Sequence, residues 1–277
     1  MTETTTHLAA RDSFASEARG AWKELVDSFK GARIWRVLAW NDILARYRGS
    51  IIGPFWITLT QGAFIVGVGL LYSQLFKIST KDYIPLLANG VIVWQLLSSI
   101  VLEGCDTFIQ SSAIMKQTSL PMPTFLWRVV ARNIFIFAHQ AVVLVVVAVL
   151  FCYFLKVQIW WAVLGLMLDV VNVSWMALIF GILCTRFRDI PQVIASAMQM
   201  LFFLTPVLWD PTQASPKAKA LLSINPFYHM LTAVRDPLMG RTPHFGSFGV
   251  LVVMAVLGWI AAFLIFASVR RRVVHYL

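Results

Sequence analysis

The amino-acid sequence predicts an all-α integral membrane protein with six transmembrane helices, an N-terminal amphipathic helix at the membrane interface and a re-entrant helix pair between the fifth and sixth spans. Three observations lead there. Hydrophobic residues make up 59% of the 277 and charged ones only 13%, where a soluble domain carries about a quarter charged residues. The apolar residues gather into six long stretches almost free of charge, and Lys and Arg are divided unequally between alternate connections.

Residues 1–30 read as a cytoplasmic N-terminal extension. The opening fifty residues show no apolar core ending in small residues, so the first span is expected to direct its own insertion. Residues 31–50 are the predicted interface helix. Ile34, Val37, Leu38, Trp40, Leu44 and Tyr47 recur at helical spacing, with Arg33, Arg36, Asp42 and Arg46 elsewhere on the wheel. A basic amphipathic helix of this kind suits the cytoplasmic membrane surface, although an ordinary surface helix packed on a partner has the same pattern.

Residues 51–277 form the predicted six-helix domain. A transmembrane helix needs roughly 20 apolar residues to cross about 30 Å of hydrocarbon. Stretches of that length run from Arg48 to Lys77 (a helix near Phe55 to Phe76), Asp82 to Glu103, Arg132 to Lys156, Lys156 to Arg186, Asp189 to Asp210 and Arg241 to Arg270. Asp169 interrupts the fourth. With both termini on one side, that side holds sixteen Lys and Arg and the other seven, which puts both termini in the cytoplasm. The net charge of +10 is then largely topology, and nucleic-acid binding loses its main support.

The stretch from about 210 to 240 is too short and too broken to span. It carries Pro211, Pro216, Pro226 and Pro237, and Asn225-Pro226 interrupts its apolar run. Two short helices dipping into the outer leaflet fit this pattern, as does an extracellular loop with one surface helix. Irregular backbone at membrane depth is tolerated where it is buried in protein or lines a watery cavity.

Several chemistries lack their residues. There is no GxxxxGK[ST] loop to cradle ATP phosphates, no HExxH and no GxSxG. Cys105, Cys152 and Cys184 form no metal-binding or CxxC spacing. Only Glu103 and Asp169 among the acids lie in or near a span, which is thin for a proton-coupled carrier. Asp169 either faces a hydrated path or hydrogen-bonds within the bundle near Asn172 and Ser174. His139 reads as a buried histidine satisfied by a neighbouring helix.

At RYRGSIIGPFW (Arg46 to Trp56) the sequence resembles the permease subunits of type-2 ABC exporters, most of all the branch that exports polysaccharides such as O-antigen, capsule and teichoic acid. Further similar stretches are EGCDTFIQSSAIMKQTSLP (Glu103 to Pro121) with RVVARN (Arg128 to Asn133), then FRDIPQV (Phe187 to Val193), LTPVLWDP and INPFYHMLTAVRDPLMG. They cover roughly residues 33 to 277 in the family's order. One departure is Thr60-Gln61-Gly62, where many members carry a proline within the first span.

The resemblance implies a homodimer of this chain beside a dimer of ABC ATPase subunits, which would hold ATP and Mg; this chain itself would bind no cofactor or metal and would not be an enzyme. It implies a short helix over Thr107 to Thr118 that docks into the ATPase, with Phe108, Ile109, Ile114 and Met115 as apolar contacts and Glu103 opening the same stretch. The implied substrate is a glycan on undecaprenyl diphosphate, crossing the bacterial cytoplasmic membrane. Arg33, Arg36, Arg46 and Arg48 are then candidates for the lipid phosphates. Trp40, Tyr47, Phe55 and Trp56 at the entrance, with Phe203, Phe227 and Tyr228 near the exit, are candidate glycan contacts, because aromatic rings stack on the C–H faces of sugars. Each is equally suited to anchor the membrane interface. A permease for a small drug or lipid is the alternative, and a membrane glycosyltransferase is disfavoured by the lack of an acidic group in a sizeable loop.

Overall fold

A computed structural model describes residues 2–53, 55–75 and 77–276, with side chains from residue 16 onward except at 213, 271 and 274–276. The described residues are helical, joined by turns and two single 3-10 turns. In order the helices are α1 (Thr2–Lys30), α2 (Ala32–Arg46), α3 (Phe55–Leu75), α4 (Thr80–Gln110), α5 (Ser112–Gln117), α6 (Pro123–Leu150), α7 (Ile159–Arg186), α8 (Ile190–Leu204), α9 (Pro216–Leu222), α10 (Pro226–Leu238) and α11 (Phe245–Tyr276).

Among the described residues five helices, α3, α4, α6, α7 and α11, are long and apolar enough to cross a membrane. Helix α8 has 15 residues, a rise of about 22 Å. Phe76, the predicted end of the first span, lies outside the described residues. Two helices reach beyond the charge-free stretches: α4 runs on through Glu103 and Asp106, and α6 starts nine residues before Arg132. Glu103 and Arg132 are paired with each other across the two helices.

Helix α4 is the centre. Most of it is buried among α3, α6, α7, α8 and α10. Its union with α7 depends on small residues: a Cβ built on Gly181 would lie 2.8 Å from the Phe108 ring and 2.9 Å from the Gly104 carbonyl. In lipid, where apolar side chains gain little by leaving their solvent, such close backbone approach is what holds helices together. Helix α3, in contrast, buries only Ile65, Gly69 and Ser73.

Helix α2 lies along α6, burying Ala39 and Ile43 while Ile34, Val37, Trp40 and Leu44 stay exposed. That leaves a broad apolar strip open to the surroundings. Helix α1 packs on α11 and α6. Glu17 and Glu24 hold Arg270 of α11 between them, and Trp127 of α6 donates to the Ser28 hydroxyl at 3.1 Å. The termini therefore share one end of the bundle. The opposite, far end is made by the α3–α4 turn, the α6–α7 connection and residues 205 to 245. Tyr83 donates to the Leu208 carbonyl there at 2.8 Å, and the Trp161 ring meets those of Phe245 and Phe248 edge-on.

Candidate functional site

Along the middle of α4, which is buried from Tyr83 to Trp94, Gln95 is exposed and Ser99, Glu103 and Asp106 are partly so. Their spacing of three to four residues draws one polar stripe along one side of the helix. Facing the stripe are Thr60 and Gln61 of α3, Asn133 and Gln140 of α6, and Arg46, Tyr47 and Trp56 from the α2–α3 corner. With Gln95, Ser99 and Glu103 they line a cavity of about 470 Å³. Gln95 Nε2 donates to Ser99 Oγ at 3.0 Å, and Asn133 Nδ2 to Glu103 Oε2 at 2.6 Å. Gln61 Nε2 is buried with no acceptor among the described residues. Amides and hydroxyls between membrane spans are expensive unless hydrated or paired, so this arrangement suits a watery path and a hydroxyl-rich ligand.

The termini-side end of the cavity is closed by ions. Asp42 of α2 accepts from Arg128 Nε at 2.8 Å and Nη2 at 2.5 Å, and from Arg132 Nη1 at 2.8 Å. Arg132 Nη2 in turn donates to Glu103 Oε2 at 2.7 Å. The network thus ties α2 to α6 and α6 to α4. Burial raises the Asp42 pKa, but hydrogen bonds and charge from Arg128 and Arg132 outweigh that and hold it below the ordinary carboxylate value.

The predicted site residues separate into groups. Tyr47, Trp56 and Arg46 meet on the cavity, and Arg46, 52% exposed at its side chain, stands 3.9 Å from Glu103. Arg33, Arg36 and Arg48 are exposed, with Arg36 bonded to the Ala32 carbonyl of its own helix. Trp40 packs against Phe135 with ring centroids 5.8 Å apart, and Phe55 points to the surroundings. Phe227 is buried against Trp94 at 5.5 Å, Phe203 is exposed beside Phe202, and Tyr228 stands against the His229 ring. These three line no part of the α4 cavity.

The residues expected over 107–118 divide as well. Thr107 to Gln110 finish α4, the chain breaks at Ser111, and α5 follows. Phe108 is 0% exposed beneath Gly181, so it supports the turn from inside; Ile109 and Met115 are partly buried, and Ile114 is 37% exposed. Glu103 faces the ion network, more than two helical turns before α5.

Asp169 is fully buried, and neither carboxylate oxygen has a hydrogen-bond partner among the described residues. Asn172 bonds the Leu168 and Leu251 carbonyls and Ser174 the Val170 carbonyl. The bonding expected near Asn172 and Ser174 is therefore absent, because both side chains are taken up by backbone. Asp169 does not line the cavity either. His139 is satisfied by the Phe135 carbonyl of its own helix at 2.8 Å.

Reading charges alone misses Gln61, Gln95, Ser99, Asn133 and Gln140, since they are neutral and lie in or beside stretches that the absence of charge defines. Gln95, Ser99 and Glu103 fall four residues apart, and that spacing was the available signal. Asp42 was visible as an acid on a basic helix, but its partners come from α6.

Comparison with known proteins matches residues 33–239, which run from α2 to just past α10, to the family described as ABC-2 type transporter. Two O-antigen export system permease proteins RfbA from Klebsiella pneumoniae are 22% and 21% identical over 241 residues, 85% of this chain and 92% of theirs. A protein of the same name from Myxococcus xanthus is 21% identical over 201 residues, 71% of this chain and 76% of its own. The match spans the cavity, the ion network and α5, and it makes this chain a multi-pass transporter membrane subunit rather than an enzyme. The chain belongs to the ABC-2 type transporter family.

Proposed function

We propose that this chain is the permease subunit of an ATP-driven exporter that carries lipid-linked polysaccharide, O-antigen or a similar glycan, across the bacterial cytoplasmic membrane. The observation that carries the reading is the polar stripe Gln95, Ser99 and Glu103, an open face on the mostly buried α4. A stripe of that kind gives a sugar hydroxyl-exchanging amides on one side, while Tyr47 and Trp56 at the same cavity offer rings for its C–H faces. Similarity to the O-antigen export permeases supports the choice of cargo.

In this reading two copies of the chain enclose the path, and the sparsely buried α3 faces the second copy or lipid. The termini end is cytoplasmic, and Arg33, Arg36, Arg46 and Arg48 stand at headgroup height to receive the diphosphate of an undecaprenyl carrier. A dimer of ABC ATPase subunits, holding ATP and Mg, docks on α5 through Ile114 and Met115. Movement of α5 passes to α4, which continues from it across the Ser111 break.

The sixth crossing is proposed for α8 with residues 205–208. Helix α8 begins at Ile190, directly after α7 returns to the termini end, and Leu208 accepts from Tyr83 at the far end. About 22 Å of helix and four further residues are enough for the distance. Helices α9 and α10 form the re-entrant pair at the outer mouth. Each starts with proline, and Asn225 both caps α10 and donates to Thr205 Oγ1 at 2.9 Å.

Deleting the gene and staining glycan in intact and permeabilised cells tests the function. Glycan trapped inside with a bare surface is the expected result. No glycan on either side would replace export by synthesis, and an unchanged surface would replace the cargo by a small molecule.

A further inference from the structure

At the far end, a cavity of about 640 Å³ lies where the α3–α4 turn, the α6–α7 connection and the ends of the 205–245 stretch meet. Three cations border it: Lys81 on the first turn of α4, Lys156 in the 3-10 turn after α6, and Arg241 just beyond α10. Arg241 Nη2 donates to Asp210 Oδ2 at 2.6 Å, and Asp210 Oδ1 accepts from the Thr212 amide at 2.9 Å. That pair is neutral as a unit. Neither Lys81 nor Lys156 has a carboxylate within 4.0 Å among the described residues. Asp82 is the remaining acid on the wall.

The arrangement is built, not incidental to loose loops. Gly240, at φ +71°, lies so close to the Lys156 backbone that any side chain at 240 would collide with it. The Gln158 amide donates to the Pro237 carbonyl at 2.9 Å, and Gln158 Nε2 reaches the Arg241 carbonyl at 3.4 Å. The connection carrying Lys156 and the turn carrying Arg241 are therefore fastened to each other. Helix α4 begins at Thr80, so the positive end of a 31-residue helix falls on the same wall as Lys81. Two ammonium groups held around one cavity repel unless an anion comes between them.

We propose that this cavity binds a phosphate or diphosphate group, brought by a lipid headgroup or present as the free ion, through Lys81 and Lys156, with Arg241 completing the wall. Ammonium groups on flexible stems suit the several oxygens of a phosphate. The cavity has the volume to admit a whole headgroup. Its position is opposite the four arginines of the termini end, so a phosphate-bearing lipid meets cations at both ends of the bundle. The site does not require the cargo to be a polysaccharide.

The test uses the full chain in phosphatidylcholine nanodiscs, titrated by calorimetry with inorganic pyrophosphate and, separately, with farnesyl diphosphate. The double variant Lys81→Gln/Lys156→Gln is expected to bind at least tenfold more weakly, while Lys81→Arg/Lys156→Arg stays within threefold of the natural protein. Lys217→Gln/Lys219→Gln, exposed on α9 and outside the cavity wall, leaves this binding unchanged. Lys81 and Lys156 are also exposed, so the variants keep the thermal midpoint of the parent. Binding of farnesyl diphosphate alone identifies a lipid headgroup as the source, and equal binding of pyrophosphate identifies the free ion. Unweakened binding in the double glutamine variant, or no binding of either probe to the natural protein, overturns the proposal.

Discussion

Replacing Asp42 by asparagine removes the carboxylate on which two arginines of α6 converge. Asparagine has nearly the same shape, so the change isolates charge. Arg132 keeps Glu103, but Arg128 loses its bidentate partner, and the three donors left behind have side chains only 14% to 21% exposed. An exposed pair contributes under about 1 kcal/mol, and breaking a fully buried one costs roughly 3 to 5 kcal/mol. This half-buried cluster falls between, at about 2 to 3 kcal/mol. For a chain of this size that lowers the apparent unfolding midpoint by roughly 5 to 10 °C. Unfolding is followed in detergent by the reactivity of the buried thiols Cys105 and Cys184. The pH dependence has a definite sign: the folded pKa of Asp42 lies below its unfolded one, so the stabilisation is complete above about pH 4 and is lost as pH falls through the folded value. Asp42→Asn lacks that acid-sensitive component. A midpoint within 1 °C of the natural protein at pH 7, with Arg36→Gln as the exposed control, would refute the argument that the network holds α2 to α6.

Gln95→Leu closes the middle of the polar stripe with a side chain that the bilayer tolerates well, so export is expected to fall at least tenfold while the ATPase still co-purifies; undiminished export would remove the stripe from the path. Ile114→Asp combined with Met115→Asp places two charges on the proposed docking surface and is expected to abolish co-purification of the ATPase without moving the thermal midpoint by more than a few degrees. Gly181→Leu forces a branched side chain against Phe108 and the Gly104 carbonyl, an overpacking expected to cost about 1 to 3 kcal/mol or more, read as loss of folded protein on size exclusion. Gly62→Leu, with open space around it, is the matched control and is expected to be neutral for folding.

The helical, membrane-embedded character of the chain was legible because the bilayer imposes it one segment at a time: each stretch must satisfy its own backbone and offer an apolar surface long enough to reach across. The same locality explains where the boundaries slipped. Arg132 and Glu103 looked like the ends of spans, yet they lie well inside α6 and α4, where Arg132 donates both to Glu103 and to Asp42 of another helix. Phe108 looked like a contact for a partner because the sequence does not tell which side of a helix meets Gly181.

What the sequence determined by itself is the composition of each helix, the inventory of absent chemistries and the family to which the motifs point. What only the tertiary structure decided is which polar residues share a space. Gln61, Gln95, Asn133 and Gln140 come from three helices and are separated by up to 79 positions, and none is charged. Lys81, Lys156 and Arg241 are spread still further along the chain. Local propensity and hydropathy act over a few turns of helix, whereas a cavity depends on how whole helices pack, and packing is set by contacts such as Gly104 on Ala177 that no single segment contains.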